Sequence, residues 1–269
     1  METKSFLSLL SLLLLSLSHA NPLLEDRREE EIQVDDLQVI DGEISSRILS
    51  TNNGSREMLL EGDMIIPRTR NAMGCWNNYC RWQKDSTGYV KVPFTVNSAF
   101  SHYERQKIEY ALGAFHSRTC LRFVPRENEY DYISIENLDG CFSSLGRVGG
   151  EQVLSLNRQG CVHHGVIQHE VLHALGFQHE QTRSDRDQHV RINWEVIEPA
   201  MAFNFYKQQT INLDTPYDYS SIMHYGRTAF STQYGRDSIT PIPDSNVRIG
   251  QRNGLSDMDI LRINRLYDC

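Results

Sequence analysis

The stretch His169-Glu170-Val171-Leu172-His173-Ala174-Leu175-Gly176-Phe177-Gln178-His179-Glu180 constrains this chain more than any other. His169 and His173 stand four apart, so on a helix both imidazoles leave one face, a turn apart, and can reach a single metal ion. Glu170 follows the first ligand and is placed to hold and deprotonate a water at that metal. Gly176 permits the reversal that ends the helix and brings back His179, completing a three-histidine zinc site with one open coordination position. An open position separates a catalytic zinc from a structural one. The competing reading is an amphipathic helix that happens to carry histidines. Six fixed positions recur by chance on the order of once in a million such chains, so the metal site is preferred. The flanking Val166, Ile167, Val171, Leu172, Leu175 and Phe177 supply an apolar surface at helical spacing.

The run from His169 through Glu180-Gln181-Thr182-Arg183-Ser184-Asp185-Arg186-Asp187 resembles the extended signature of the astacin family of metzincin zinc endopeptidases. A second block, Ser221-Ile222-Met223-His224-Tyr225, resembles the family's Met-turn. The resemblance implies that Met223 lies beneath the metal and that Tyr225 can coordinate zinc and swing to stabilise the transition state. The run from Ile249-Gly250-Gln251-Arg252-Asn253-Gly254-Leu255-Ser256-Asp257 to Tyr267 is also similar, so the likeness spans about residues 71–269. It implies an α+β fold: a two-lobed catalytic domain with a twisted sheet and the active-site helix in the N-terminal lobe, and an irregular C-terminal lobe.

Lys4, the apolar run Phe6–Leu17 and a small residue at Ala20 read as a secretory signal peptide over residues 1–20. The apolar run is too short to anchor the chain in a membrane, and no other segment is long enough to span one. The expected location is extracellular. Six cysteines, Cys75, Cys80, Cys120, Cys141, Cys161 and Cys269, suit an oxidising compartment and three disulfides, and spacing alone leaves fifteen pairings open. The family resemblance implies Cys120–Cys269 and Cys141–Cys161, which leaves Cys75 with Cys80. Residues 21–70 carry twelve acidic and six basic side chains, against twenty-two and twenty in residues 71–269. Neither balance suggests a nucleic-acid partner.

Residues 21–70 read as a pro-segment and residues 71–269 as the catalytic domain. Residues 21–58 are polar, acidic and poor in aromatics, which predicts weak structure, with a turn at Asn52-Asn53-Gly54-Ser55 and an N-glycosylation sequon at Asn53. Leu60-Glu61-Gly62-Asp63 resembles the aspartate switch of astacin-type pro-segments, which implies that the Asp63 carboxylate fills the open metal position. Arg68-Thr69-Arg70 offers a trypsin-like activating protease a cleavage point, giving a new amino terminus at Asn71. In the family that terminus pairs with the glutamate after the third histidine, here Glu180; a carboxylate is costly to bury alone, and the new ammonium would offset that cost.

Alternation at Val90, Val92, Phe94 and Val96 predicts a half-buried strand over Tyr89–Val96. Ser101–Thr119 reads as a helix with Ile108, Leu112 and Phe115 on one face. Strands follow at Leu121–Val124, Tyr132–Ile135 and Gln152–Leu156, the last matching the family's sheet-edge strand that pairs with substrate. Further helices are expected at Trp194–Phe205 and Asp257–Leu266, the latter opened by a Ser256/Asp259 capping box.

The implied reaction is hydrolysis of internal peptide bonds with one zinc per chain, Glu170 as general base and Tyr225 at the oxyanion. The Cys75-Trp76-Asn77-Asn78-Tyr79-Cys80 element ahead of the catalytic domain resembles fish hatching enzymes, the choriolysins, which implies egg-envelope glycoproteins as substrates and a monomeric enzyme. Three alternatives are a general digestive or matrix-processing astacin, an inactive matrix-binding relative, and a zinc hydrolase acting on non-peptide bonds. The intact His169, Glu170, His173 and His179 argue against the second, and the Met-turn and switch motif against the third.

Overall fold

Strand β3 (Val90–Val96) buries Val90, Val92 and Phe94 and exposes Lys91, as its alternation requires. This computed structural model describes residues 44–53, 55–65, 79–251 and 253–269. The signal segment 1–20, the Arg70–Asn71 cleavage point and Cys75 lie outside the described residues.

Around β3 the chain builds a seven-stranded sheet from β1 (Leu59–Leu60), β2 (Met64–Ile65), β4 (Leu121–Pro125), β5 (Tyr132–Glu136), β6 (Cys141–Ser143) and β7 (Glu151–Leu156). The strand order is β1-β2-β6-β7-β5-β3-β4. Pairs β4/β3, β3/β5 and β5/β7 are parallel, and β6 turns antiparallel against β7. The strand Gln152–Leu156 was expected at the edge, yet as β7 it is interior, with β5 on one side and β6 on the other. β6 is only three residues long, too short to show an alternating pattern. It bears the edge that β2 covers: Met64 stands opposite Ser143 in parallel register, and the Ser143 N–H donates to the Asp63 carbonyl at 3.0 Å.

Residues 44–65 are more ordered than the composition of that stretch predicts. Ile44–Asn52 forms helix α1, which buries Ile44 and Ile48 in the main core. Asn52 ends it by donating to the carbonyls of Gly62 and Cys141, each at 2.7 Å, and accepting from the Cys141 N–H at 2.6 Å. Asn53 of the sequon is exposed.

Helix α2 (His102–Gly113) starts at a Ser101/Glu104 capping box and stops at Gly113, short of the predicted Thr119. It packs against α3 (His164–Ala174), which carries the histidine motif. Helix α3 is buried on every side from Gly165 to Ala174, the position of a core helix. Its end is a Schellman arrangement: Gly176 N–H donates to His173 O at 2.8 Å and Phe177 N–H to Leu172 O at 3.0 Å, with Gly176 at φ +101°. A Cβ at Gly176 would have room, its nearest neighbour being 3.9 Å away, so the demand is on the backbone. Gly176→Ala should therefore cost about 1–3 kcal/mol, read as a lower denaturation midpoint at unchanged m-value.

Beyond Gly176 regular structure thins. The two-stranded sheet of β8 (Val190–Ile192) and β9 (Ile239–Pro241) and several 3₁₀ turns surround a second core of Val190, Ile197, Phe205, Tyr217, Tyr225 and Ile239. The helix expected over Trp194–Phe205 is broken into 3₁₀ turns Trp194–Val196 and Pro199–Phe205. Pro199 keeps Glu198 extended at ψ 130° and interrupts the hydrogen-bond ladder. Helix α4 (Asp257–Leu266) returns to the first lobe, where Ile260 and Ile263, and Tyr267 at its C-terminal cap, are buried in the core. Cys120–Cys269 fastens that return, and Cys141–Cys161 ties β6 to the loop before α3. Cys80 is also disulfide-bonded. No described helix is long and apolar enough to cross a membrane.

Candidate metal centre

Helix α3 presents His169 and His173 one turn apart, and the Gly176 reversal returns His179 to them. Each ring is fixed from behind through Nδ1: His169 to Ile222 O at 3.0 Å, His173 to Phe177 O at 2.8 Å, and His179 to Glu61 Oε2 at 2.8 Å. These bonds place the proton on Nδ1 and leave Nε2 as the free lone pair, the usual role of a second contact behind a metal-binding histidine. The three Nε2 atoms converge on the Asp63 carboxylate: Oδ2 lies 3.1 Å from His169 and 3.2 Å from His179, and Oδ1 lies 3.3 Å from His173. All four side chains are buried, with ligand atoms within 4.8 Å of one another.

Asp63 Oδ1 and His173 Nε2 form no bond of hydrogen-bond geometry despite their closeness, and His169 and His179 bring their Nε2 atoms to 3.2 Å. Buried lone pairs that face one another without donors fit a cation at their centre. Three imidazoles and a carboxylate in this arrangement are a zinc donor set. Burial acts to raise the Asp63 carboxyl, but His179, His173 and His169 around it outweigh burial and hold it well below the usual carboxylate range.

Glu170 is wholly buried, and among the described residues neither of its carboxylate oxygens has a hydrogen-bond partner. Burial, and then the Asp63 charge, push its pKa well above the ordinary value. Tyr225 sets its ring centre 4.6 Å from that of His179, and its hydroxyl donates to the Glu61 carbonyl. Its backbone is held at both polar groups, with N–H donating to Gln181 Oε1 at 3.1 Å and the carbonyl accepting from His224 Nδ1 at 2.7 Å. Burial pushes the His224 pKa down to about 4, so its neutral ring can accept the Tyr217 hydroxyl at 2.8 Å on Nε2.

Met223 is buried in the core beside α3, and its carbonyl accepts the Glu180 N–H at 3.0 Å. The turn at residues 221–225 rests on Asp259, a residue the sequence marked only as a helix cap. Asp259 accepts from Ser221 Oγ at 2.6 Å and Ile222 N–H at 3.0 Å while also taking the Ser256 N–H at 2.9 Å. Asp259→Ala should cost about 3 kcal/mol, because three donors lose a buried charged acceptor, and circular-dichroism melts should show it.

Glu180 is buried as expected, but it is not waiting for a counter-charge. Arg262 reaches it at 2.6 and 2.9 Å, Arg183 at 3.3 Å, and the Asp218 N–H at 2.7 Å. The physical reason for expecting the Asn71 ammonium there is therefore met by two guanidiniums, one of them 82 residues away in sequence. Gly62 is needed where it stands: at φ +84°, a Cβ would sit 2.4 Å from Leu49 Cδ2 and 3.1 Å from Phe230 Cζ. Glu61, Thr182 and Gln208 escaped the sequence reading. Glu61 Oε2 also lies 3.3 Å from Thr182 Oγ1, and its Oε1 accepts Gln208 Nε2 at 3.0 Å. The only available signal was a second carboxylate two places before Asp63.

The family model for Astacin, a peptidase family, matches residues 71–268. The chain belongs to the astacin family. As an astacin it is a zinc metalloendopeptidase, and its relatives among fish hatching enzymes are similar along nearly their whole length. High choriolytic enzyme 1 of Oryzias latipes is 57% identical over 263 residues, covering 97% of each chain. Low choriolytic enzyme of the same fish is 52% identical, again over 97% of each chain. The solved structure of high choriolytic enzyme 1, a hatching enzyme zinc-protease, superposes on this astacin with a TM-score of 0.72 at 63% identity. That match covers 74% of this chain and 100% of the other.

Proposed function

We propose that this astacin is a secreted hatching-type endopeptidase, made as a zymogen and acting on egg-envelope glycoproteins. The observation that carries the zymogen reading is Asp63, whose carboxylate lies within 3.3 Å of all three histidine Nε2 atoms. A segment that fills the metal position and pairs with β6 occupies the two features an extended peptide needs. Cleavage after Arg70 would release it and create the Asn71 terminus. The hatching reading rests on likeness to the choriolytic enzymes over nearly the full chain.

In the open site, His169, His173 and His179 would hold one zinc ion, which supplies Lewis acidity toward the scissile carbonyl and its attacking water. Glu170 takes the water's proton and delivers it to the leaving amine, a role suited to a carboxylate whose burial raises its proton affinity. Tyr225 loses its acceptor, the Glu61 carbonyl, when the segment departs, and its hydroxyl is then free to donate to the oxyanion.

The test is incubation of the trypsin-processed, zinc-loaded protein with isolated egg envelope, gelatin and casein, with and without chelator. Preferential, chelator-sensitive solubilisation of envelope is expected. Equal attack on all three would replace the hatching role by a digestive or matrix-processing one, and no cleavage would remove the peptidase assignment.

A further inference from the structure

Two sets of contacts hold Tyr225, and they differ in where their partners lie. Its hydroxyl donates to the Glu61 carbonyl, and the following N–H, of Gly226, donates to Ser45 Oγ at 2.9 Å. Both of those partners sit ahead of the cleavage point. The peptide groups of Tyr225 itself are tied to residues beyond it. The N–H donates to Gln181 Oε1 at 3.1 Å, and the carbonyl accepts from His224 Nδ1 at 2.7 Å. A carbonyl can only accept, so Nδ1 carries the proton, and Nε2 of the neutral ring takes the Tyr217 hydroxyl at 2.8 Å. Gln181, His224 and Tyr217 are all buried. The Gln181 backbone is fixed in turn, its carbonyl accepting from Arg186 Nη1 at 2.9 Å. The Tyr217 ring is stacked on His189, with centres 4.7 Å apart, which aims its hydroxyl at His224.

We propose that Gln181, His224 and Tyr217 are positioning residues that make the Tyr225 backbone a fixed pivot, a role that rests on the oxyanion contact given to Tyr225 above and deepens it. With both peptide groups tied, the phenol moves only about its side-chain torsions. When the Glu61 carbonyl departs, the hydroxyl is confined to one arc and returns to one place at each turnover. A donor held in advance stabilises the transition state because it needs no reordering there. Untying either peptide group lets the peptide rotate, and the hydroxyl spreads over positions of which few reach the oxyanion. The loss falls on kcat, since the oxyanion exists only in the transition state.

The processed, zinc-loaded protein should be assayed on a quenched peptide as parent, Tyr225→Phe, Tyr217→Phe and the double variant. Tyr225→Phe should lower kcat at nearly unchanged KM. Tyr217→Phe keeps the stacked ring and removes only the hydroxyl. It should lower kcat about tenfold in the parent and less than about twofold in the Tyr225→Phe background. A role in stability alone would lower kcat equally in both backgrounds. That result, or an undiminished kcat in Tyr217→Phe, would overturn the pivot while leaving the oxyanion contact of Tyr225 intact. An undiminished kcat in Tyr225→Phe would remove that contact and the pivot with it. Gln181→Met severs the other tether and should show the same dependence on the Tyr225 hydroxyl, so the test survives if one variant fails to fold. Calorimetry with a phosphinic peptide, whose tetrahedral oxygens mimic the oxyanion, should find about tenfold weaker binding to Tyr217→Phe than to the parent. Equal affinities would overturn the proposal.

Discussion

Glu170→Gln should lower peptide hydrolysis by the processed enzyme by about 10²–10⁴-fold while leaving zinc content unchanged. The separation of effects follows from what Glu170 touches. Neither oxygen of its carboxylate has a hydrogen-bond partner among the described residues, so the amide replacement breaks none of their bonds. His169 and His173 are oriented from behind by the Ile222 and Phe177 carbonyls, neither of which involves Glu170. The same substitution has a stability signature in the metal-free chain. Burial raises the Glu170 pKa well above 4.5, so its ionisation favours the unfolded state. Stability from this group is full below the unfolded carboxylate pKa and is lost as pH rises toward the folded value. Metal-free Glu170→Gln should therefore melt above the metal-free parent at neutral pH, and the two should converge on acidification toward pH 4. Retained hydrolysis in the variant would remove Glu170 from the chemistry. A midpoint gap independent of pH would remove burial as the cause of its shift.

The parts of this molecule that were legible in the sequence are those whose determinants are local. The motif on α3, the Gly176 reversal and the Ser256/Asp259 cap each depend on residues within a few positions of one another, and each forms as read. What was illegible depends on partners far along the chain. β6 is three residues whose place between β7 and the covering β2 is set by pairing with distant segments, and the edge was therefore assigned to β7 itself. Helix α1 gains its stability by burying Ile44 and Ile48 in a core assembled from later segments, so composition alone read it as weakly structured. Glu180 meets Arg262 from the last helix, and no local pattern announces that pair. The Asp63 carboxylate was legible through a four-residue motif, whereas the contacts of Glu61 were not, because Thr182 and Gln208 lie more than a hundred residues away.

Asp63→Ala should make the unprocessed chain measurably active, at least about tenfold above the parent on a small quenched peptide, with Arg70→Ala present in both to block cleavage. Asp63 fills the position that a substrate and its attacking water must use, and its carboxylate neutralises part of the charge a bound cation would bring. Removing it opens that position, but other contacts of the segment stay. Glu61 still holds His179, its carbonyl still takes the Tyr225 hydroxyl, and β2 still pairs with β6. Activity of the single variant should therefore fall well short of the processed enzyme, and adding Glu61→Ala should raise it further. Asp63→Asn separates the two contributions of the side chain. It preserves bulk and removes charge, so activity near that of Asp63→Ala assigns latency to the carboxylate's hold on the metal, and activity near the parent assigns it to steric filling. An uncleaved Asp63→Ala chain that binds zinc yet stays as silent as the parent would show that latency resides in the strand pairing and in Glu61 rather than at the metal.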